Sequence, residues 1–148
     1  MSYIHENITF EKVVGSNDNI NTLYKLLSLR DHFISHSKMP SYDEHKKFVL
    51  NNPYNNWYLI NNKDKRLGTF YTKADNSIGI NLIENNKEIV IKILDFIKLN
   101  LKPKPNQPSV VTPYFYINIP ISNIKLRNIF EELDTKSIQI SYKLNDNN

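Results

Sequence analysis

The sequence contains no cysteine and only three glycines, Gly15, Gly68 and Gly79. Without thiols there is no disulfide, no cysteine nucleophile and no cysteine-ligated metal, and the composition fits a reducing cytoplasm. None of the glycines lies in residues 84–90, so the turn there is not a glycine-rich phosphate loop. No apolar run approaches the ~20 residues that span a bilayer. The opening MSYIHENITF lacks the basic-then-apolar layout of a secretory signal. The expectation is a soluble, cytoplasmic protein with no membrane role.

What is present fits one domain over residues 1–148, with residues 145–148 fraying at its end. A chain of this length buries roughly 70% of its unfolded surface, enough for a core of its own. The net charge is +4 and the isoelectric point about 9.1, from lysines scattered along the chain. A nucleic-acid binder would gather them into a stripe with aromatics between. The balance instead suits a small anionic ligand such as a nucleotide.

The elements follow from local pattern. Ile8 to Val14 reads as a strand closing at Gly15, and Leu23, Leu26, Leu27, Arg30, Phe33 and Ile34 repeat at helical spacing. Ser41 and Glu44 form a capping box opening a short helix that carries His45, Phe48 and Val49. Trp57 to Asn61, Leu67 to Lys73 and Ser77 to Ile83 read as an antiparallel meander on short polar turns. On the second of these, Leu67, Thr69 and Tyr71 would share one face and Gly68 and Phe70 the other. Val90, Ile93, Leu94, Ile97 and Leu101 form a helical stripe, which KPKPNQP cannot continue. A strand with Tyr114 to Ile117, a helix capped by Ser122 and a closing strand from Lys136 to Leu144 complete the order β, α, α, β, β, β, α, β, α, β.

The segment SIGINLIENNKEIVIKILDFIKLN, Ser77 to Asn100, is a strand, turn and amphipathic helix, the unit in which backbone N–H groups and the helix dipole converge on a phosphate. With the element order, this segment and NIKLRNIFEELDT from Asn123 make the chain resemble the GNAT acetyltransferase superfamily over nearly its whole length. That family places a basic, glycine-rich pyrophosphate loop after its fourth strand. Here Asn85, Asn86, Glu88 and Val90 stand where its basic residue and glycines fall. Asn tolerates left-handed backbone, so Asn85 and Asn86 are expected to take over part of the turn. Phe130 holds the place of a frequent catalytic tyrosine.

The resemblance implies an α/β fold, a three-layer sandwich whose mixed, twisted sheet has about six strands with helices on both faces. It implies a V-shaped opening between Ser77 to Ile83 and Tyr114 to Ile119. Acetyl-CoA would be the acyl donor, its carbonyl met by backbone N–H groups at Leu82 and Ile83. Its diphosphate would meet Asn85, Asn86, Lys87, Glu88, Ile89, Val90 and Asn123. His36, Tyr71 and Tyr116 are the candidates for proton transfer. No metal is expected: His32 and His36 share a helical face, but no third ligand accompanies them. His45 reads as packing beside Phe48. The leading expectation is an N-acetyltransferase acting on an amine of a small molecule, with an amino sugar as one acceptor class and a homodimer left open. Two other readings stand beside it: a GNAT-like domain that binds a ligand or protein without catalysis, and an unrelated α/β binding module.

Overall fold

The computed structural model describes residues 7–30, 39–105 and 111–145. Strand β1 (Ile8–Lys12) precedes helices α1 (Asn17–Ser28) and α2 (Tyr42–Leu50), and strands β2 (Asn56–Asn62), β3 (Lys65–Thr72) and β4 (Ser77–Leu82) follow. Helix α3 (Lys87–Asn100), strand β5 (Tyr116–Ile117) and helix α4 (Ile124–Glu132) complete the set. The sheet is ordered β1-β2-β3-β4-β5. Its first four strands are antiparallel and β5 runs parallel to β4. Among the described residues the mixed sheet therefore has five strands rather than about six. Residues 136–145 belong to no strand, although their apolar alternation is that of one.

The helix starts are set by short polar side chains. Ser16 caps α1, and Ser41 and Glu44 form the expected capping box, Ser41 Oγ accepting from Glu44 N at 3.2 Å and Glu44 Oε1 from Ser41 N at 3.0 Å. At α4 the cap is Asn123, whose side chain accepts from Leu126 N, rather than Ser122.

Successive residues of β2 reach opposite sides of the sheet. Trp57 and Leu59 pack with Ile20, Leu23 and Val49 of α1 and α2. Tyr58 and Ile60 pack with Phe70, Ile93 and Ile97, around the rings of Phe10 and Phe96. Helix α4 lies against α3 through Val90, Leu126 and Ile129. The apolar stripes of α1 and α3 are thus buried as their periods require.

Strand β3 departs from simple alternation. Ile60 faces Gly68 but Asn61 faces Arg66, so Leu67 is one residue more than β2 can pair. Leu67 joins Phe70 in the α3-side cluster rather than sharing a face with Thr69 and Tyr71. Gly68 makes this possible: its φ is 155°, and a Cβ there would come within 2.1 Å of the Asn81 carbonyl oxygen.

The turn between β3 and β4 is anchored by Asn76, buried and left-handed at φ 69°. Its amide donates to the carbonyls of Lys104 at 3.1 Å and Thr112 at 2.6 Å and accepts from Lys104 N at 2.6 Å. Its own carbonyl accepts from Tyr116 N at 3.2 Å. One side chain thereby ties the meander to the segment that returns the chain to β5.

Candidate active site

The site begins where the sheet opens. Pairing of β4 with β5 covers only Ser77 with Tyr116 and Ile78 with Ile117, while β4 continues to Leu82. Three residues past Ile117 stands Pro120, which has no N–H to extend a ladder. In an antiparallel pair each residue turns both backbone groups to the same side, alternately toward and away from its neighbour. The Ile83 N–H donates to the Leu67 carbonyl at 3.0 Å, and the Ser77 carbonyl accepts from Lys73 N at 2.9 Å. Odd-numbered residues of β4 therefore serve β3. The backbone groups of Ile80 and Leu82 face the opening. Of the two N–H groups expected to meet an acyl carbonyl, that of Leu82 faces the opening and that of Ile83 faces β3.

Two cavities meet at this edge. The larger, about 420 Å³, lies among α1, α2 and the sheet, with Leu27, Arg30, Trp57, Tyr71 and Gly79 in its walls. The second, about 350 Å³, lies among the end of β4, the turn after it and the start of α4, reaching Asn85 and Asn123. Leu29, Arg30 and Ile80 to Ile83 line both.

The larger cavity is aromatic. Tyr54 and Tyr71 stack with ring centroids 4.0 Å apart and planes 7° from parallel. Trp57 meets Tyr54 edge-on at 4.9 Å, and Phe48 lies 5.6 Å from Tyr54. Burial pushes both phenols up from their ordinary range, so each is a neutral donor at physiological pH. Arg30 pulls against that shift, and burial lowers its own pKa from the usual guanidinium range. Lys73 Nζ stands 6.0 Å from the centroid of the Tyr71 ring.

Next to the turn that lines the second cavity, the start of α3 is already served by its own side chain. Asn86 adopts an extended conformation, φ −141° and ψ 128°, and its Oδ1 accepts from Glu88 N at 2.9 Å and Ile89 N at 3.2 Å. Val90 N donates to the Asn86 carbonyl at 3.0 Å. Among the described residues the positive-φ positions other than glycine are Lys63 and Asn76, so Asn85 and Asn86 do not supply left-handed backbone here. Asn85 instead donates its amide to Asn123 Oδ1 at 3.0 Å. Lys87 pairs with Glu132 at 3.1 Å, Glu88 is exposed, and Ile89 and Val90 turn their side chains into the core.

The remaining candidates are dispersed. Tyr71 is in the larger cavity, whereas Tyr116 lines neither and sits beside Asp75 and Ser77 at the closed end of the β4 and β5 pair. Burial raises its phenol, and the neighbouring Asp75 carboxylate raises it further. His36 falls outside the described residues. His45 is buried, its Nε2–H donating to the Ile20 carbonyl at 3.0 Å. It packs near Tyr24 and Tyr42 rather than offering a base. Among the described residues no three His, Cys, Asp or Glu cluster as a metal site would require, and no helix is long and apolar enough to cross a membrane. Sequence reasoning left out Tyr54 and used Arg30 only as part of a helical stripe. The clustering of Tyr54, Trp57 and Tyr71 around strand β2 was the signal available.

No protein-family profile and no curated protein matches the sequence. Solved structures do. A possible acetyltransferase from Clostridium difficile 630 superposes with a TM-score of 0.57 at 13% identity, over 94% of this chain and 97% of that one. Spermidine N-acetyltransferase from Vibrio cholerae gives 0.53 at 15% identity, over 86% of this chain and 78% of the other. An aminoglycoside acetyltransferase from an uncultured soil metagenomic sample gives 0.54 at 10% identity, over 96% and 99%. These likenesses, together with the parallel β5 splaying from β4, show that the chain is built on the GNAT-like α/β fold shared by those acetyltransferases.

Proposed function

We propose that the protein is an N-acyltransferase that moves an acetyl group from acetyl-CoA to an amine of a small molecule. The carrying observation is the pair of cavities that share the open edge of β4, because two substrates can then meet at the Leu82 N–H. The thioester arm would lie along Ile80 and Leu82, with the Leu82 N–H donating to the acyl oxygen as negative charge develops on it. The acceptor would occupy the larger cavity, against Tyr54, Trp57 and Tyr71. Its amine nitrogen forms the new C–N bond, the C–S bond breaks, the nitrogen gives its proton to water, and the Tyr71 hydroxyl is the donor in the cavity for the departing thiolate. The structural neighbours that act on spermidine and aminoglycosides are consistent with an amine acceptor, an amino sugar among the classes.

The fit of acetyl-CoA is uneven. The open edge of β4 suits its thioester arm, whereas a diphosphate at α3 would have to displace the Asn86 side chain from Glu88 N and Ile89 N. That displacement favours a second reading, a GNAT-like domain that binds a ligand or protein without catalysis. Calorimetric titration with acetyl-CoA, on the native chain and on Asn86→Gly and Glu88→Gly, separates the two. Micromolar binding by the native chain supports the enzyme; binding only by a variant supports the second reading; silence from all three removes the donor from both.

A further inference from the structure

We infer that the acceptor brings an anion as well as its amine, and that the larger cavity takes an amino acid with an aromatic or large apolar side chain, its carboxylate held between Arg30 and Lys73. Calling this molecule an acceptor rests on the proposed acyl transfer, but the carboxylate site stands on the cavity's own residues. Among the described residues in its wall the cations are Arg30 and Lys73, and the one carboxylate is Glu44. Glu44 is exposed, and its Oε1 already accepts from Ser41 N in the capping box. His45 adds no charge near neutral pH, because burial holds its imidazole below the usual range. The Tyr54 and Tyr71 phenols are neutral there too. The lining is therefore net positive, a poor host for a polycation and a good one for a molecule that carries its own negative charge.

The two cations flank the aromatic stack. Lys73 Nζ lies 6.0 Å from the centroid of the Tyr71 ring, and the Arg30 charge acts on both Tyr54 and Tyr71. Arg30 stands in the wall that the two cavities share, together with Asn81 and Leu82. A guanidinium presents five N–H donors in a planar fork, so it can take both oxygens of a carboxylate beside any other partner it serves.

The amine has a place next to that fork. Asn81 faces Thr69 across the strand pair, two residues on from the Gly79 that lies under the Tyr71 ring, so its amide is on the same side of the sheet. An amine donating to Asn81 Oδ1 would sit one residue from the Leu82 N–H. An α-amino acid carries amine and carboxylate on one carbon and would meet Asn81 and Arg30 together. Its side chain would lie against the rings of Tyr54, Trp57 and Phe48, in a cavity of about 420 Å³.

Trp57 is the only tryptophan in the chain and lines this cavity, so its fluorescence reports occupancy with no acyl donor present. The probes are L-phenylalanine, phenethylamine, which lacks only the carboxylate, and spermidine, a polycation. Phenylalanine should change the Trp57 signal saturably and bind about tenfold more tightly than phenethylamine, the scale of one charge-assisted hydrogen bond. Spermidine should give no saturable change. Added salt should weaken phenylalanine binding, and Lys73→Gln and Arg30→Gln, as separate variants, should each erase most of its advantage. Lys73 is exposed, so its variant tests the site even where Arg30→Gln fails to fold. Equal or tighter binding of phenethylamine or spermidine, no saturable response to phenylalanine, or an advantage that survives Lys73→Gln overturns the inference. Thiol release from acetyl-CoA with phenylalanine present is read separately, on a chain with no cysteine to interfere. Phenylalanine binding without thiol release counts against the proposed transfer and leaves the carboxylate site standing.

Discussion

The ring of Tyr71 lies over Gly79, its partner across β3 and β4, so closely that a Cβ on Gly79 would come within 2.1 Å of the tyrosine Cζ. Gly79→Ala must therefore push Tyr71 off its stack with Tyr54. Overpacking of this kind costs about 1–3 kcal/mol. Urea unfolding should show that loss, and altered near-ultraviolet circular dichroism should report the displaced rings.

Tyr71→Phe keeps the ring and removes the hydroxyl. If the Tyr71 phenol protonates the leaving thiolate, kcat should fall by about 10² or more, with the urea midpoint nearly unchanged. Steady-state kinetics on an accepted amine checks this. An unchanged kcat assigns the proton to water.

Asn86→Gly opens the N–H groups of Glu88 and Ile89. Capping by Asn is worth about 1 kcal/mol, and replacement by Gly loses only a few tenths of it as stability. Release from a competing cap of that strength should tighten acetyl-CoA binding by about fivefold, as measured by calorimetry.

Asn76→Ala should be among the most destabilising single changes in the protein. It strands the carbonyls of Lys104 and Thr112 and the N–H of Lys104, and it forces alanine to φ 69°. Lost buried hydrogen bonds and the left-handed backbone together predict about 3 kcal/mol. Asn76→Gly removes the backbone strain but not the lost bonds, so its urea midpoint should lie between those of Asn76→Ala and the native chain.

His45 should make the fold sensitive to acid. Burial holds its imidazole below the usual range against the opposing pull of the Ile20 carbonyl. The unfolded chain then binds the proton first as pH falls through about 6.5, so stability is complete above that value and declines below it, until the folded-state pKa is passed. Urea midpoints at pH 7.5 and 5 should differ, and the part due to this residue should vanish in His45→Gln.

Much of the architecture is legible in the sequence because it rests on local chemistry. Helix α3 follows from its apolar period, α2 from Ser41 and Glu44, and the meander from short polar turns. What the sequence does not reveal shares one cause, interactions between residues distant in sequence. Ile83 loses its N–H to Leu67 and Asn85 spends its amide on Asn123, thirty-eight residues away. Tyr116 sits at the closed end of the splay because of where β5 docks, which no spacing reveals. Among the described residues, residues 136–144 carry a strand's pattern without a strand's neighbour, and a pattern alone cannot supply one.

Leu67 also decides a question of parity. Arg66 reaches Glu11 at 2.7 Å and Asp18 at 3.3 Å, on the side of the sheet where Tyr71 lines the larger cavity. Five positions separate Arg66 from Tyr71, and in an unbroken strand an odd interval sends two side chains to opposite sides. The extra residue resets the count, so the ion-pair end and the aromatic end of β3 are written in different frames. Removing Leu67 itself would merge the frames and leave both ends facing as they do, whereas removing any other single residue between Arg66 and Tyr71, with the bulge kept, would turn the tyrosine out of the cavity.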